Sequence, residues 1–353
     1  MRTWNERLTD LADRIRVAAR TVLDVPAPGR VDRPVSQGVG DVTYHLDACC
    51  EEVITRWLWE CAREGPLSLL TEDAGWRHLG PGPEGSEPVE LGGPRPFDHG
   101  GPRIAIDPVD GTRNLMADLR SAWTVISYAE PGPEQPRLAD QVLGLVSELP
   151  DTRAASYRVL RASPDSACVL ELRALKTQRL LGERVVEVDE DDRADHGYFP
   201  FFRYAPELRP AIAAVEAEFF RRLAEFEGAD TRHCFDDQYI CGAGQTVLLA
   251  LGTYRSLVDL RGFIGQRVGL ATTTGHPYDV AGAIVCARAA GCVFTDESGL
   301  DLDFPIDCVT PVNLVAWTNQ HTAKRLWPHL QAALGQVPSE VVEQAAPLRT
   351  ERA

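Results

Sequence analysis

The sequence predicts a mixed α/β protein (α+β mixed) that is built from layers of sheet and helix. Apolar residues recur at helical spacing in several segments, among them residues 206–227 and 279–290. Short apolar runs of strand length, such as 104–106 and 314–317, lie between such segments. Strand-like pairs also flank a proline-rich turn at 131–136, which indicates hairpins within the sheet. Alternating helices and strands with some hairpins favour a layered α/β architecture.

The first half of the chain is expected to begin with two helices and to continue with strands. Residues 1–20 and 47–63 place apolar side chains on one helix face. Strands are predicted at 67–71, 104–106, 123–129 and 141–149, and 153–159 could pair with the last two. Residues 77–102 are rich in Gly and Pro, which predicts a loop without regular structure.

The second half is expected to alternate between helices and buried strands. Residues 163–200 show no clear pattern, and the acidic run within them indicates a solvated turn. The final helix should be broken or kinked near Pro328. Helices are predicted at 206–227, 244–251, 279–290 and 319–334, and strands at 256–260, 292–295 and 314–317. We expect an N-terminal subdomain over 1–155, a C-terminal one over 156–337 and a flexible tail over 338–353.

Composition excludes several classes of function. The chain has 353 residues, of which 44% are hydrophobic, enough for a sizeable core. A formal net charge of -16 disfavours nucleic acid and anionic membranes as partners. No apolar run reaches membrane-spanning length, and Glu6, Asp10 and Asp13 are incompatible with a signal peptide. The nine cysteines lie mostly in apolar runs without paired metal spacing, which predicts buried thiols in a reducing cytoplasm.

The hexapeptide from Asp107 to Thr112 is the most informative motif. Two carboxylates, Asp107 and Asp110, directly follow a buried strand and should point toward a common spot at its end. Gly111 lets the backbone approach a ligand, and the helix that begins near Thr112 would offer N–H groups to an anion. An ordinary turn that caps a helix would produce the same pattern.

Two further acidic segments favour a ligand site over a turn that only caps a helix. Glu72 ends the preceding strand, and Asp279 lies at the start of a later apolar helix. Taken alone, Asp279 could be a helix cap and Glu72 a surface carboxylate. Acidic residues at the ends of three apolar elements are nevertheless what a site with several Mg²⁺ ions requires, because Mg²⁺ prefers oxygen ligands.

At these residues the chain resembles the inositol monophosphatase family of lithium-sensitive, Mg²⁺-dependent phosphatases. The archaeal enzymes that act on both inositol phosphate and fructose bisphosphate are similar as well. The matching segments appear in the family's order and span roughly residues 41–334. They are Gly40 to Asp47, Thr71-Glu72-Asp73, Ile106 to Asn114, Tyr278 to Gly282, Ala289 to Val293 and Ala316 to Asn319.

The resemblance implies the layered αβαβα sandwich of that family and a role for each matching residue. Glu72, Asp107 and the carbonyl of Val109 would bind one Mg²⁺. Asp107, Asp110 and Asp279 would bind a second, and a third, weaker ion would sit near Glu72. The remaining implied roles concern the water and the phosphate. Asp47, Thr112 and Glu72 would be catalytic, and Asp47 and Thr112 would orient the attacking water. The amides of Gly111 and Thr112 would bind the phosphate.

The same resemblance implies a cytoplasmic homodimer that hydrolyses a small phosphorylated substrate. The leading expectation is a sugar or polyol phosphate, of the inositol monophosphate or fructose bisphosphate type. A nucleotide 3′-phosphatase and a catalytically silent ligand-binding relative are the alternatives. Thr71, Asp73 and Tyr278 depart from the family pattern and leave the substrate open. Asp259 and Arg261 are candidate substrate-binding residues: Arg261 could bind a second anionic group of the substrate, or could simply pair with Asp259.

Overall fold

The helices pack around a large and a small sheet in a computed structural model, which describes residues 3–23, 34–37, 42–83, 86–163 and 166–336. A further two-stranded sheet is formed by Pro34–Gln37 and Val42–Tyr44. The helices are Trp4–Leu23 (α1), His45–Ala62 (α2), Thr112–Met116 (α3), Arg209–Phe226 (α4), Gly242–Ala250 (α5), Arg261–Val268 (α6), Pro277–Ala289 (α7) and Gln320–Leu334 (α8). The predicted tail and the Gly40-Asp41 part of the N-terminal motif lie outside the described residues.

The strands of the first half are Pro34–Gln37 (β1), Val42–Tyr44 (β2), Leu67–Thr71 (β3), Gly75–Gly80 (β4), Val89–Glu90 (β5), Arg103–Asp110 (β6), Ala122–Ala129 (β7) and Gln141–Leu149 (β8). Those of the second half are Ser156–Ser163 (β9), Ser166–Ala174 (β10), Leu180–Val186 (β11), Ser256–Asp259 (β12), Val293–Thr295 (β13) and Leu314–Trp317 (β14).

The large sheet has the strand order β11-β10-β9-β8-β7-β6-β3-β4-β5 in the described part of the chain. Neighbouring strands are antiparallel except β3 and β6, which run parallel. A small sheet of order β12-β14-β13 lies apart from it. Because β3 and β6 are parallel neighbours, their carboxyl ends meet at one edge, which places Glu72 beside the acidic end of β6.

The core divides into three apolar clusters that define the layers. Alternate residues of the large sheet face opposite sides: Leu69, Ile104 and Ile126 pack with α1 and α2, whereas Leu70 and Val125 pack with α5 and α7. The small sheet contacts α5 and α7 on one face and α4, α6 and α8 on the other. The order of layers is therefore helix, sheet, helix, sheet, helix, which confirms the predicted αβαβα sandwich.

One prediction of local structure was wrong, and a second, that the last helix is broken or kinked near Pro328, was wrong as to the break. Residues 77–102 are not entirely irregular, because β4 pairs with β3 and β5 pairs with β4. The helix near the C-terminus is not broken, since α8 continues through Pro328. Leu326 and Leu330 on either side of that proline are buried against the α4 layer, and this packing offsets the lost backbone hydrogen bond. The predicted boundary between residues 155 and 156 stays a prediction.

No helix within the described ranges combines the length and the apolar character that crossing a membrane demands.

Candidate active site

The carboxyl end of β6 carries the first two acidic residues of the site. In a regular strand, residues three positions apart point to opposite faces of the sheet. The pairing of β6 with β7 is irregular between Asp107 and Asp110, and the hydroxyl of Thr124 on β7 donates to the carbonyl of Pro108 there, at 2.9 Å. This bulge lets both carboxylates line one cleft.

A third carboxylate comes from the first turn of α7. A Cβ at Gly282 would lie 2.2 Å from the carbonyl oxygen of Ile126 on β7, so glycine allows α7 to lie this close to the sheet. The close packing brings Asp279 into the same cleft. Its Oδ2 accepts the N–H of His276 at 2.9 Å, as in a helix cap. Its Oδ1 is buried and has no hydrogen-bond donor in the described part of the chain.

The N-terminus of α5 holds the carboxylate of Asp110. The N–H of Ala243 donates to Oδ2 at 2.6 Å and the N–H of Gly242 to Oδ1 at 3.3 Å. The sulfur of Cys241 lies 3.1 Å from Oδ2. Burial raises the pKa of Asp110 to about 6, and these donors limit the rise. The free N–H groups of a helix N-terminus favour negative charge, which explains why Asp110 is held there.

The carboxylates of the cleft repel one another. Burial raises the pKa of Asp107 well above its ordinary value, and the charges of Asp110, Asp279 and Glu72 raise it further. Burial likewise raises the pKa of Asp279 well above its ordinary value, with a further contribution from Asp110. Like charges held this close favour either protonation or a bound cation.

Asp47 on α2 and Thr112 at the start of α3 meet beside these carboxylates. The hydroxyl of Thr112 lies 3.0 Å from Oδ1 of Asp47 and 2.7 Å from the carbonyl oxygen of Val109, so it can donate to either. Burial raises the pKa of Asp47 to about 6. A carboxylate with a pKa in this range can accept a proton near neutral pH.

The turn between β6 and α3 depends on Gly111. Its φ of +94° is left-handed, and a Cβ there would lie 3.0 Å from the Cβ of Cys241. The N–H groups of Gly111 and Thr112 stand at the start of α3, where they have no acceptor within the helix. They can therefore donate to an anion in the cleft.

Solved structures with the same arrangement of elements identify the fold. An inositol monophosphatase–fructose 1,6-bisphosphatase superposes with a TM-score of 0.62 at 16% identity, covering 94% of this chain and 100% of that one. The IMPase of Thermotoga maritima gives 0.58 at 16% identity, covering 94% and 100%. Inositol monophosphatase II of Staphylococcus aureus gives 0.57 at 14% identity, covering 94% and 97%.

The chain has the inositol monophosphatase fold. No protein-family model matches it, and no curated protein matches it significantly. The superposition extends over nearly the whole chain.

Arg261, at the start of α6, lines the cleft of this inositol monophosphatase fold, but its guanidinium donates hydrogen bonds to neighbouring groups of the protein. Its Nε and Nη2 donate to the two carboxylate oxygens of Asp259, each at 2.8 Å, and its Nη1 donates to the carbonyl of Thr273 at 2.9 Å. The guanidinium carbon lies 4.3 Å from the ring centre of Phe202. The pairing of Asp259 with Arg261 therefore favours a structural role over recognition of a second phosphate.

Sequence reasoning missed two features of the cleft. Glu51 lies one helical turn after Asp47, and burial together with the charge of Asp73 raises its pKa to about 8. The i,i+4 spacing from Asp47 could have indicated it. The contacts of Gly242 and Ala243 with Asp110 were also missed, although a glycine-rich start of an apolar helix is typical of anion sites.

The side chains of the cleft fit magnesium ions. Mg²⁺ prefers hard oxygen ligands, and the buried Oδ1 of Asp279 is a carboxylate oxygen without a donor in the described residues. In the described ranges no group of three His, Cys, Asp or Glu side chains lies close enough together to hold a metal ion unaided, so Asp107, Asp110 and Asp279 would share an ion only together with water and substrate oxygens. Mg²⁺ is usually bound by one or two carboxylates together with waters and substrate phosphate, so a complete protein cage is not needed.

Proposed function

We propose that this chain is a Mg²⁺-dependent phosphomonoesterase that hydrolyses a small sugar or polyol phosphate, of the inositol monophosphate or fructose bisphosphate type. The observation that supports the proposal most is the convergence of carboxylates from β6, α7 and the end of β3 on one cleft, beside the N–H groups of Gly111 and Thr112. The fold agrees with it, because the similar structures are described as inositol monophosphatases and as an inositol monophosphatase–fructose 1,6-bisphosphatase.

Each ion would have its own set of oxygen ligands in the chain. Glu72, Asp107 and the carbonyl of Val109 would hold the first, and Asp107, Asp110 and Asp279 the second. A third, weaker ion would lie near Glu72. When bound, such ions neutralise charge on the phosphoryl group and make water a better nucleophile.

The other residues of the cleft would orient the water and the phosphate. The hydroxyl of Thr112 can accept the proton of the attacking water while it passes its own proton to Asp47, at 3.0 Å. Glu72, a proposed ligand of the first ion, would help to orient that water. The water oxygen bonds to phosphorus while the bond from phosphorus to the ester oxygen breaks, and that oxygen takes a proton from a solvent water and leaves as the alcohol. The phosphate would keep its contact with the amides of Gly111 and Thr112.

A nucleotide 3′-phosphatase is the second candidate, and one feature of the cleft favours it. The guanidinium of Arg113 lies 5.9 Å from the ring centre of Tyr44 and 5.8 Å from that of Tyr204, and all three side chains line the cleft. Such planar groups can stack on a nucleobase. A catalytically silent relative is disfavoured, because Glu72, the three aspartates, Asp47 and Thr112 are all present.

The deciding experiment measures release of inorganic phosphate from inositol, fructose and nucleotide phosphates, with Mg²⁺ and with EDTA. We expect Mg²⁺-dependent release from at least one polyol or sugar phosphate and none with EDTA. Preference for nucleoside 3′-phosphates would support the second candidate. A folded protein that releases phosphate from no member of the panel would refute the proposal.

We further propose that the enzyme is a cytoplasmic homodimer, as the resemblance implies. Sedimentation velocity of the purified protein would test the dimer, and a sedimenting mass near the 38.8 kDa of one chain would contradict it.

A further inference from the structure

Cys241 is the cap of α5 and at the same time a neighbour of Asp110. Its sulfur accepts the N–H of Gly244 at 3.2 Å, which satisfies one of the open amides of the helix N-terminus. The same sulfur lies 3.1 Å from Oδ2 of Asp110 and 3.2 Å from its main-chain carbonyl oxygen. One thiol thus connects the helix end to an acidic residue of the cleft.

The position of Cys241 is fixed from two sides. Its own N–H donates to the carbonyl of Tyr239 at 2.9 Å, and the hydroxyl of Tyr239 accepts from Nε1 of Trp123 at 2.9 Å. On the opposite side, the absent Cβ of Gly111 would lie 3.2 Å from the sulfur. Cys241 is buried, with 2% of its surface exposed. The sulfur therefore has little freedom to move relative to β7 and to the turn after Asp110.

These contacts decide which oxygen of Asp110 can serve a cation. A carboxylate has about four acceptor sites, two on each oxygen. The N–H of Ala243 occupies one site on Oδ2, and the S–H of Cys241 fills the other when it donates there and not to the main-chain carbonyl of Asp110. On Oδ1 the N–H of Gly242 occupies one site. The remaining acceptor site is therefore on Oδ1.

We propose that Cys241 is a positioning residue, whose thiol orients the carboxylate of Asp110 so that Oδ1 faces the divalent cation. This inference rests on the proposed function, because it concerns a cation at the same site. Cys241 lines the cleft, and the role proposed for it acts through its contact with Asp110. Its effect passes through Asp110, and groups that orient a metal ligand typically change metal affinity by about 10–100-fold.

The experiment compares Cys241→Ala and Cys241→Ser with a matched control, Cys286→Ala. Cys286 is a buried thiol of the same apolar cluster, and it donates to the carbonyl of Gly144 at 3.3 Å rather than to the cleft. Binding of Mn²⁺ is measured by electron paramagnetic resonance of the free ion, without turnover. Thermal unfolding shows whether each variant folds, and kcat and KM are measured separately on whichever phosphate ester the wild type hydrolyses.

We expect Cys241→Ala to weaken Mn²⁺ binding by about tenfold and to lower kcat more than it raises KM. Cys241→Ser should stay within about threefold of the wild type, because a hydroxyl can both donate and accept. Cys286→Ala should bind Mn²⁺ as the wild type does.

Two results would overturn the inference while leaving the phosphatase proposal standing: folded Cys241→Ala that binds Mn²⁺ like Cys286→Ala, or Cys241→Ser that loses as much affinity as Cys241→Ala. A wild type that binds no Mn²⁺ and releases no phosphate would refute both.

Discussion

Replacing Arg261 by alanine separates the two roles that this residue could have. Its side chain is 5% exposed and forms a two-point ion pair with Asp259, whose side chain is 14% exposed. The variant would leave Asp259 charged, poorly hydrated and without its cation. We therefore expect Arg261→Ala to lose stability, with little change of KM for any substrate that the wild type hydrolyses.

The size of the loss follows from the burial of the pair. Removing one partner of a buried ion pair typically costs about 3–5 kcal/mol, since the other charge is left uncompensated. The unfolding entropy is about 2.1 cal/mol/K per residue, so in a chain of 353 residues 1 kcal/mol shifts the melting temperature by about 1.3 °C, and the expected decrease is roughly 4–7 °C. Differential scanning calorimetry measures it directly.

An exposed arginine provides the matched control. Arg232 makes a similar two-point contact with Asp230, but 84% of its side chain is exposed. Salt screening and side-chain entropy leave a fully exposed pair little net effect on stability, so Arg232→Ala should change the melting temperature by about 1 °C or less. An unchanged melting temperature for Arg261→Ala, together with a raised KM for a bisphosphate but not for a polyol monophosphate, would refute the structural role.

Three further predictions concern the metal site and pH. Asp107→Asn should abolish Mg²⁺-dependent phosphate release with the melting temperature retained, because one charge shared by two ions is lost; near-normal turnover by the folded variant would contradict the mechanism. Li⁺ should inhibit at about millimolar concentration, and equal rates in Li⁺ and in Na⁺ of matched ionic strength would count against the proposed second ion. Ser68 Oγ lies 2.7 Å from Nδ1 of His78 and 2.7 Å from Nε2 of His99, and burial lowers the pKa of both histidines. The unfolded chain therefore binds more protons below the ordinary pKa of about 6.5. Calorimetry from pH 8 to pH 5 should show that the wild type loses more stability on acidification than a His78→Gln/His99→Gln variant, and an equal loss would exclude this linkage.

Local sequence patterns predicted most of the secondary structure. The apolar period of residues 206–227 and 279–290 matches α4 and α7, and the strands predicted at 67–71 and 314–317 match β3 and β14 within the described residues. These segments are long or strongly apolar, so their own pattern decides their structure.

The positions of glycine and proline predicted local structure less well than the apolar periodicity did. They correctly marked turns within residues 77–102, but they did not exclude pairing between those turns, where β4 pairs with β3 in register. Trp76 and Phe97 contribute to this order, since their rings pack edge to face with their centres 5.2 Å apart. Such a contact between residues distant in sequence cannot be derived from turn composition.

The sequence by itself determined which carboxylates are candidates and that they end neighbouring elements: Glu72, Asp107, Asp110 and Asp279. Only the tertiary structure decided what surrounds each one. The start of α5 holds Asp110, and Asp259 pairs with Arg261. Among the residues that the structure describes, one oxygen of Asp279 has no hydrogen-bond donor. The physical reason is that periodicity and turn chemistry act between residues close in sequence, whereas the charge state of a buried carboxylate depends on donors and charges brought together by packing.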